Sequence, residues 1–279
     1  MEENPFWGEP TPTDLWEDMN KLNLLYEELC WDHNDVLEFY IEGNKIVIKN
    51  KSREGRYMMK IFLDTADVSE IKRCWNTGLI DGITTNPTLI RKSGRNHEDV
   101  YQELKDIGLQ DISMEVIGSK ENMISEGRRL HKKFGKVATI KVPCTPDGLL
   151  ACANLSVEGI KVNVTLIFSV AQAVLSAKAG AKYVSPFVGR VDDNSFGGLC
   201  LVKDIANLYR EQMVTQTEVL AASLRGVRDA ARAFEYGSDI VTMPPKVFDG
   251  MYNHVLTEKG LDMFNKDYAQ TIQDLQEGK

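Results

Sequence analysis

The strongest constraint on the fold is an alternation that starts at Lys60 and repeats eight times. Short apolar segments rich in β-branched residues, typical of strands, are each followed by a longer amphipathic segment with helical spacing. Strands that alternate with helices form a parallel sheet, and eight such units close a (β/α)₈ barrel. We therefore predict an α/β TIM barrel. The strand segments are KIFLD (60–64), GITT (82–85), ISMEVI (112–117), ATIKVP (138–143), KVNVT (161–165), YVSPF (183–187), EVLAAS (218–223) and DIVTMP (239–244).

A doubly wound open sheet is the alternative for the same alternation. That fold usually carries a glycine-rich phosphate turn after an early strand, and the chain contains neither GxGxxG nor GxxxxGK[ST]. The pattern also predicts one more helix, roughly over residues 258–276, after the eighth unit. The barrel with an extra C-terminal helix is the favoured fold.

The first 57 residues differ from the rest in charge. They hold 13 acidic and 6 basic side chains, a net charge of −7, whereas residues 58–279 hold 28 and 27, a net charge of −1. A polar stretch, KSREGRYMM, lies at the transition. We predict two domains, an acidic N-terminal appendage at 1–57 and a barrel at 58–279.

The appendage has the pattern of one helix and one hairpin. Thr13 or Asp14 is a candidate helix cap, apolar spacing continues to about Cys30, and VLEFYI–EGN–KIVIK follows as a hairpin. Such an α-β-β unit is too short for a large core of its own. We expect it to be a packing extension of the barrel, and the alternatives are a partner-binding module and a mobile arm.

Composition excludes several classes of function. The net charge of −8 argues against nucleic acid or an anionic membrane surface as the main partner. No apolar run approaches the roughly 18 residues that span a bilayer, and the acidic first 20 residues lack a secretory signal. Five cysteines without a CxxC pair indicate a reducing compartment, and we expect a cytoplasmic protein. The four histidines are scattered, so we expect no metal and no cofactor.

Polar residues accumulate at the C-terminal ends of the predicted strands. In a TIM barrel these ends and the loops that follow them form the active-site face. One aspartate, one glutamate and one lysine would meet there, together with amides, hydroxyls and two arginines. The residues are Asp64, Thr84, Thr85, Asn86, Glu115, Lys141, Asn163, Thr165, Ser185, Arg190, Ser223 and Arg225.

Lys141 is the most informative of these residues, because it lies in the apolar strand VATIKVP. A lysine is rarely buried unless it is paired or reactive. Burial disfavours the ammonium form, and an uncharged lysine amine attacks carbonyl carbons to form a Schiff base. A nearby carboxylate, Asp64 or Glu115, would then move protons. The alternative is a purely structural ion pair with one of those two carboxylates.

Two arginines and two serines near the sixth and seventh strands suggest a phosphate site. Arg190 and Arg225 on adjacent loops, with Ser185 and Ser223, can hold a phosphate through charge-assisted hydrogen bonds. Each arginine alone is more typical of a solvated surface.

Seven segments together resemble the small bacterial transaldolases, a group that also contains the fructose-6-phosphate aldolases. The resemblance runs from about Met59 to Phe264, and TTNP, KVP and NVTLIFS are its most specific motifs. It implies a barrel, a Schiff-base mechanism without a metal, and sugar phosphates of the pentose phosphate pathway as substrates. The segments are FLDTAD, DGITTNPTLI, MEVI, TIKVPCTPDGL, GIKVNVTLIFS, AGAKYVSPFVGR and VLAAS.

The resemblance implies a role for each candidate residue. Lys141 of KVP would be the Schiff-base lysine, and Asp64 of FLDT the acid/base on the sugar hydroxyl. Glu115 would act through a water held with Thr165. The remaining residues would orient the dihydroxyacetone part or handle hydroxyls and phosphate: Asn86, Asn163, Ser185, Arg190, Ser223 and Arg225.

Glu115 and Phe187 favour the transaldolase branch of this family, because the aldolase branch tends to carry Gln and Tyr there. The expected reaction converts sedoheptulose 7-phosphate and glyceraldehyde 3-phosphate into erythrose 4-phosphate and fructose 6-phosphate. Fructose-6-phosphate aldolase activity with release of dihydroxyacetone is the alternative, followed by a catalytically inactive barrel scaffold. The resemblance also implies a homo-oligomer, a pentamer or decamer, with the 258–276 helix packed on a neighbour.

Overall fold

Eight parallel strands close into a barrel in the computed structural model, which describes residues 37–42, 45–50 and 59–277. The chain divides into two compact units, Met1–Met58 and Met59–Lys279. No helix of the described residues is long and apolar enough to cross a membrane.

The described part of the first unit is a two-stranded antiparallel hairpin. Strand β1 spans Leu37–Glu42 and strand β2 spans Lys45–Asn50. The register places Phe39 opposite Ile48 and Glu42 opposite Lys45. The predicted hairpin is confirmed, whereas the predicted helix from Thr13 or Asp14 to Cys30 lies outside the described residues.

The barrel order is β10-β3-β4-β5-β6-β7-β8-β9, with every neighbouring pair parallel. The predicted (β/α)₈ fold is confirmed, and the open-sheet alternative is wrong. Several strands end one to two residues before the apolar segments do, because the chain turns into its loops there. The strands are β3 Lys60–Asp64, β4 Gly82–Thr84, β5 Ile112–Glu115, β6 Ala138–Pro143, β7 Val162–Ile167, β8 Tyr183–Pro186, β9 Glu218–Ala221 and β10 Ile240–Met243.

Helices follow the strands, and most begin at a side-chain cap such as Asp67, Ser119 or Thr145. The predicted C-terminal helix starts slightly earlier than expected, at Val255. The helices are α1 Val68–Trp75, α2 Pro87–Ser93, α3 His97–Asp106, α4 Lys120–Phe134, α5 Pro146–Val157, α6 Val170–Lys178, α7 Val188–Asp192, α8 Gly198–Glu211, α9 Val227–Glu235, α10 Pro245–Gly250 and α11 Val255–Gln276.

A cluster of apolar side chains fills part of the barrel interior. Phe62, Tyr183, Leu220 and Ile240 form a buried cluster, and the rings of Phe62 and Tyr183 meet edge to face with centroids 6.2 Å apart. Gly82 makes room for this filling, because a Cβ there would lie 2.6 Å from Cζ of Phe62. The interior is therefore a packed core rather than a pore.

The N-terminal end of the barrel is held by a hydrogen-bonded carboxylate. Asp111 accepts hydrogen bonds from Thr139 Oγ1 at 2.8 Å and the Tyr183 hydroxyl at 2.9 Å, and Lys161 Nζ lies 2.5 Å from it. These groups satisfy one another, as buried polar groups must. The polar groups at the opposite, C-terminal end form the candidate site.

Candidate active site

A cavity of about 100 Å³ opens among the C-terminal ends of the strands. Seven of the predicted site residues line it, together with four residues to which the sequence reasoning gave no role in the site. The seven are Asp64, Asn86, Lys141, Ser185, Phe187, Arg190 and Ser223, and the four are Thr84, Leu220, Ala222 and Thr242. Glu115, Asn163, Thr165 and Arg225 are not part of this lining, but Glu115 contacts Lys141 and Asn163 contacts Ser185.

Lys141 reaches the cavity from the middle of β6. The neighbouring Ile140 and Val142 are fully buried, and Lys141 itself is only 5% exposed. Its Nζ lies 3.1 Å from Glu115 Oε2 and donates to the backbone oxygen of Thr85 at 3.1 Å. An ammonium has three protons, so two are held by these partners. Lys141 therefore forms the predicted ion pair with Glu115. It also lines the cavity.

Asp64 ends β3 on the other side of the cavity. It accepts a hydrogen bond from Thr84 Oγ1 at 2.8 Å. Burial raises the pKa of this carboxyl, because desolvation outweighs the opposing effects of the Lys141 charge and the Thr84 bond. A carboxyl with a raised pKa exchanges its proton closer to neutral pH, which suits general acid–base chemistry.

An amide and two serines from strands β5, β7 and β8 form a chain of hydrogen bonds. Ser185 Oγ donates to Asn163 Oδ1 at 2.7 Å, and Asn163 Nδ2 donates to Ser113 Oγ at 3.3 Å. Asn163 is fully buried, so this chain fixes its orientation below the cavity.

Thr165 is buried next to this group on β7. Within the described residues, its Oγ1 has no hydrogen-bond partner. A buried polar atom of this kind is suited to a ligand group or an ordered water. The water-mediated role of Glu115 with Thr165 stays a prediction.

Asn86 caps the helix that follows β4. Its Oδ1 accepts from the Leu89 amide at 3.0 Å, and Pro87 occupies the first helical position. The cap uses the side-chain oxygen, which leaves the amide nitrogen as the group that can meet a ligand in the cavity.

The two predicted phosphate arginines occupy different places. Arg190 lines the cavity, with its Cζ 5.0 Å from the centre of the Phe187 ring. Arg225 is more than half exposed and forms a bidentate ion pair with Asp193. Gly189 permits this approach, because a Cβ there would lie 2.7 Å from Arg225 Nε. Of these two arginines, Arg190 lines the cavity and Arg225 does not.

The sequence reasoning gave no site role to the two threonines beside Asp64, although Thr84 is among the polar residues at the predicted strand ends. Thr84 lies directly opposite Asp64 in the β3–β4 register, and its Oγ1 is 2.7 Å from Thr242 Oγ1 of β10. Threonine is common in strands for packing reasons, so neither residue stood out. The available signal was that Thr84, like Asp64, stands near the C-terminal end of its predicted strand, and these ends meet at one face of a barrel.

Two family models match separate parts of the chain. The family model described as Transaldolase/Fructose-6-phosphate aldolase matches residues 61–278. A second model, described as a family of unknown function (DUF7191), matches residues 8–54.

Curated relatives match this chain over 96–100% of their own lengths. A "Probable transaldolase" from Paracoccus denitrificans (strain Pd 1222) is 50% identical over 218 residues, which is 78% of this chain and 100% of the relative. Those from Caulobacter vibrioides (strain NA1000 / CB15N) and Nitrosopumilus maritimus (strain SCM1) are 50% and 48% identical, covering 78% and 76% of this chain and 100% and 96% of the relatives.

Proposed function

The chain belongs to the transaldolase/fructose-6-phosphate aldolase family, and we propose that it is a transaldolase acting through a Schiff base on Lys141. It transfers a dihydroxyacetone unit from sedoheptulose 7-phosphate to glyceraldehyde 3-phosphate, giving erythrose 4-phosphate and fructose 6-phosphate. The observation that carries the proposal is a 5% exposed lysine amine in a cavity that Asp64 also lines, with Glu115 at 3.1 Å.

The first step joins enzyme and donor sugar. The uncharged Lys141 amine attacks the ketose carbonyl carbon, and water leaves as the imine forms. Glu115 is the group placed to move the protons of this step, because it already contacts Nζ. Thr165 Oγ1, one strand beyond Lys141, has hydrogen-bonding capacity to hold the water involved.

The second step breaks the bond between the α and β carbons of the imine. Asp64 takes the proton of the hydroxyl on the departing carbon, and the oxygen's electron pair forms the aldehyde carbonyl. The electrons of the broken bond flow into the protonated imine, which becomes a neutral enamine. Addition to the acceptor aldehyde reverses these movements, and Asp64 returns the proton.

Transfer requires that the enamine wait for the acceptor. Phe187 lines the cavity and contacts Phe168 edge to face, with ring centroids 6.0 Å apart. A phenylalanine ring carries no hydroxyl that can protonate the enamine carbon. The intermediate is therefore not released as free dihydroxyacetone, which favours transfer over the aldolase alternative.

Product analysis with and without an acceptor separates the candidate functions. The protein is incubated with fructose 6-phosphate alone and then with added erythrose 4-phosphate. A transaldolase forms sedoheptulose 7-phosphate only with the acceptor and releases little dihydroxyacetone without it. Steady dihydroxyacetone release without acceptor would establish the aldolase reaction instead, and the absence of both products would favour an inactive scaffold.

Phe187→Tyr is expected to shift activity toward aldolase cleavage. A tyrosine hydroxyl near the imine supplies the proton that ends the enamine intermediate. The measured quantity is the ratio of free dihydroxyacetone to transferred sugar, with Phe168→Tyr as the matched control because Phe168 does not line the cavity. An unchanged ratio in a folded, active variant would mean that Glu115 and other surroundings decide the branch.

Arg225→Ala is expected to weaken phosphorylated acceptors selectively. Losing one charge-assisted hydrogen bond of about 1.5–3 kcal/mol raises KM roughly ten- to a hundredfold. KM is compared for glyceraldehyde 3-phosphate and for unphosphorylated glyceraldehyde. The control is Arg228→Ala, an arginine of α9 that lines a different surface pocket, together with Tyr236. An equal loss for both acceptors would remove Arg225 from the phosphate site.

We also propose that the protein assembles as a homo-oligomer through α11. No residue of this 22-residue helix is buried, although it carries several large apolar side chains, among them Leu261, Phe264 and Tyr268. Contact with a second copy would cover them. Light scattering of the full chain tests this, because a Leu261→Glu/Phe264→Glu variant should lower the assembly mass. An unchanged mass would exclude the helix from the interface.

A further inference from the structure

We propose that Thr242 is a positioning residue for proton transfer at Asp64. Acting through Thr84, it completes a chain of two hydroxyls that keeps Asp64 hydrogen-bonded both with and without its proton. This role rests on the transaldolase reaction proposed above. It concerns the step in which the carbon–carbon bond breaks or forms, not the formation of the Schiff base.

The three residues come from three adjacent strands. Asp64 ends β3, and β4 and β10 lie on either side of β3 in the barrel order. Thr84 Oγ1 lies 2.8 Å from Asp64 Oδ1 and 2.7 Å from Thr242 Oγ1. Both threonines are 2% exposed, and all three residues line the cavity.

Each threonine hydroxyl has one proton to donate, and this fixes the direction of donation along the hydrogen-bond chain. An ionised carboxylate only accepts hydrogen bonds, so Thr84 must donate its single hydroxyl proton to Asp64. The Thr84 oxygen then accepts from Thr242, which donates. Successive hydrogen bonds of this kind polarise and strengthen one another.

The same chain also serves protonated Asp64. A protonated carboxyl can donate to Thr84, whose own proton then turns toward Thr242. Only hydroxyl protons rotate, and no heavy atom has to move. Without the Thr242 hydroxyl, the Thr84 hydroxyl would lose its second partner in this hydrogen-bond chain.

The reaction needs both states of Asp64 in each turnover. Asp64 takes the hydroxyl proton when the bond breaks and returns it when the acceptor adds. Two charged groups line the cavity with Asp64, Lys141 of β6 and Arg190 of α7. Lys141 forms an ion pair with Glu115 of β5. The flanking strands β4 and β10 contribute the two threonines to the lining and no charged group. Thr84 and Thr242 are therefore the neutral partners that respond to the proton on Asp64.

Removing only the hydroxyl of Thr242 isolates its role. Thr242→Val keeps the shape of the side chain, and Thr242→Ser keeps the hydroxyl. The Val variant should lower kcat for transfer roughly three- to tenfold, the effect of losing one neutral hydrogen bond, with KM nearly unchanged. Its borohydride-trapped adduct on Lys141 should persist. The weakened Thr84 bond should raise the pKa of Asp64 further, so the acid limb of the kcat profile should move to higher pH.

Two comparisons exclude a general packing effect. Thr242→Ser should return kcat and the acid limb to near wild-type values. Thr217→Val removes another buried hydroxyl, which donates to the Ala181 oxygen at 2.7 Å at the start of β9, and should leave kcat and the pH profile unchanged. If the Val variant does not fold, Thr242→Ala takes its place against Thr242→Ser.

The outcomes separate this role from the proposed function. Wild-type protein without any Lys141 adduct would overturn the transaldolase proposal and, with it, this role. A wild-type adduct together with normal kcat and an unmoved acid limb in Thr242→Val would overturn the Thr242 role alone. Equal impairment of the Ser and Val variants would also overturn it, because the hydroxyl would then not be the cause.

Discussion

Lys141→Ala is expected to lose transaldol transfer by a factor on the order of 10⁴ to 10⁶, the range for deletion of a covalent nucleophile. Asp64, Glu115 and the proposed phosphate-binding groups remain in this variant, but no amine is left at position 141 to form the imine. Transfer is followed by the appearance of fructose 6-phosphate from sedoheptulose 7-phosphate and glyceraldehyde 3-phosphate. Lys141→Arg should fail equally, since a guanidinium stays charged and is not a nucleophile for carbonyls.

The matched control for this variant is Lys161→Ala. Lys161 is also partly buried and paired with a carboxylate, Asp111, but it precedes β7 at the opposite end of the barrel. It should keep transfer activity near the wild-type level. Removing Lys141 leaves Glu115 without its ion-pair partner, so folding of the variant is checked by circular dichroism. A folded Lys141→Ala protein that still transfers the three-carbon unit would show that another residue carries the chemistry.

Asp64→Asn is expected to lower kcat about 10²- to 10⁴-fold, the usual contribution of a general acid–base. The amide can accept the Thr84 hydrogen bond but cannot take the substrate's hydroxyl proton. Schiff-base formation on Lys141 should survive, because Asp64 acts on the later bond-breaking step. Loss of the borohydride-trapped adduct together with kcat in a folded variant would instead assign Asp64 to imine formation.

The same substitution should not destabilise the protein at neutral pH. Burial raises the pKa of Asp64 above the ordinary aspartate value of about 4. Between these two pKa values the folded state holds more protons than the unfolded chain, so this contribution to stability falls as pH rises through that window. Above the window the ionised carboxyl is a net cost that Asn does not carry. The melting temperature of Asp64→Asn at pH 7 should equal or exceed that of the wild type, and a clear decrease would contradict this electrostatic account.

The fold was predictable because its signals are local. Each strand is a short β-branched segment followed by an amphipathic helix, so counting eight units from Lys60 was enough to predict the barrel. The strand ends were less well predicted. Thr85, for example, looks like a strand residue but follows the end of β4, and its backbone oxygen bonds Lys141 instead of continuing a regular strand.

The candidate site was predictable only where a residue contrasts with its surroundings. Lys141 and Asp64 stand out as charged residues in apolar strands. Thr84 and Thr242 do not, because threonine fits any strand, and their contact joins residues 158 positions apart. The Arg225–Asp193 pair is likewise set by tertiary structure, across 32 positions, and no local pattern shows it.

Mass spectrometry after borohydride reduction with fructose 6-phosphate tests the Schiff base most directly. Reduction converts the imine into a stable secondary amine, and peptide sequencing then locates the added three-carbon or six-carbon unit. The account predicts a single modified lysine, Lys141, when sugar and borohydride are both present. No modification is expected with sugar alone or with borohydride alone. An adduct on another lysine, or no adduct in a protein that transfers the dihydroxyacetone unit, would contradict it.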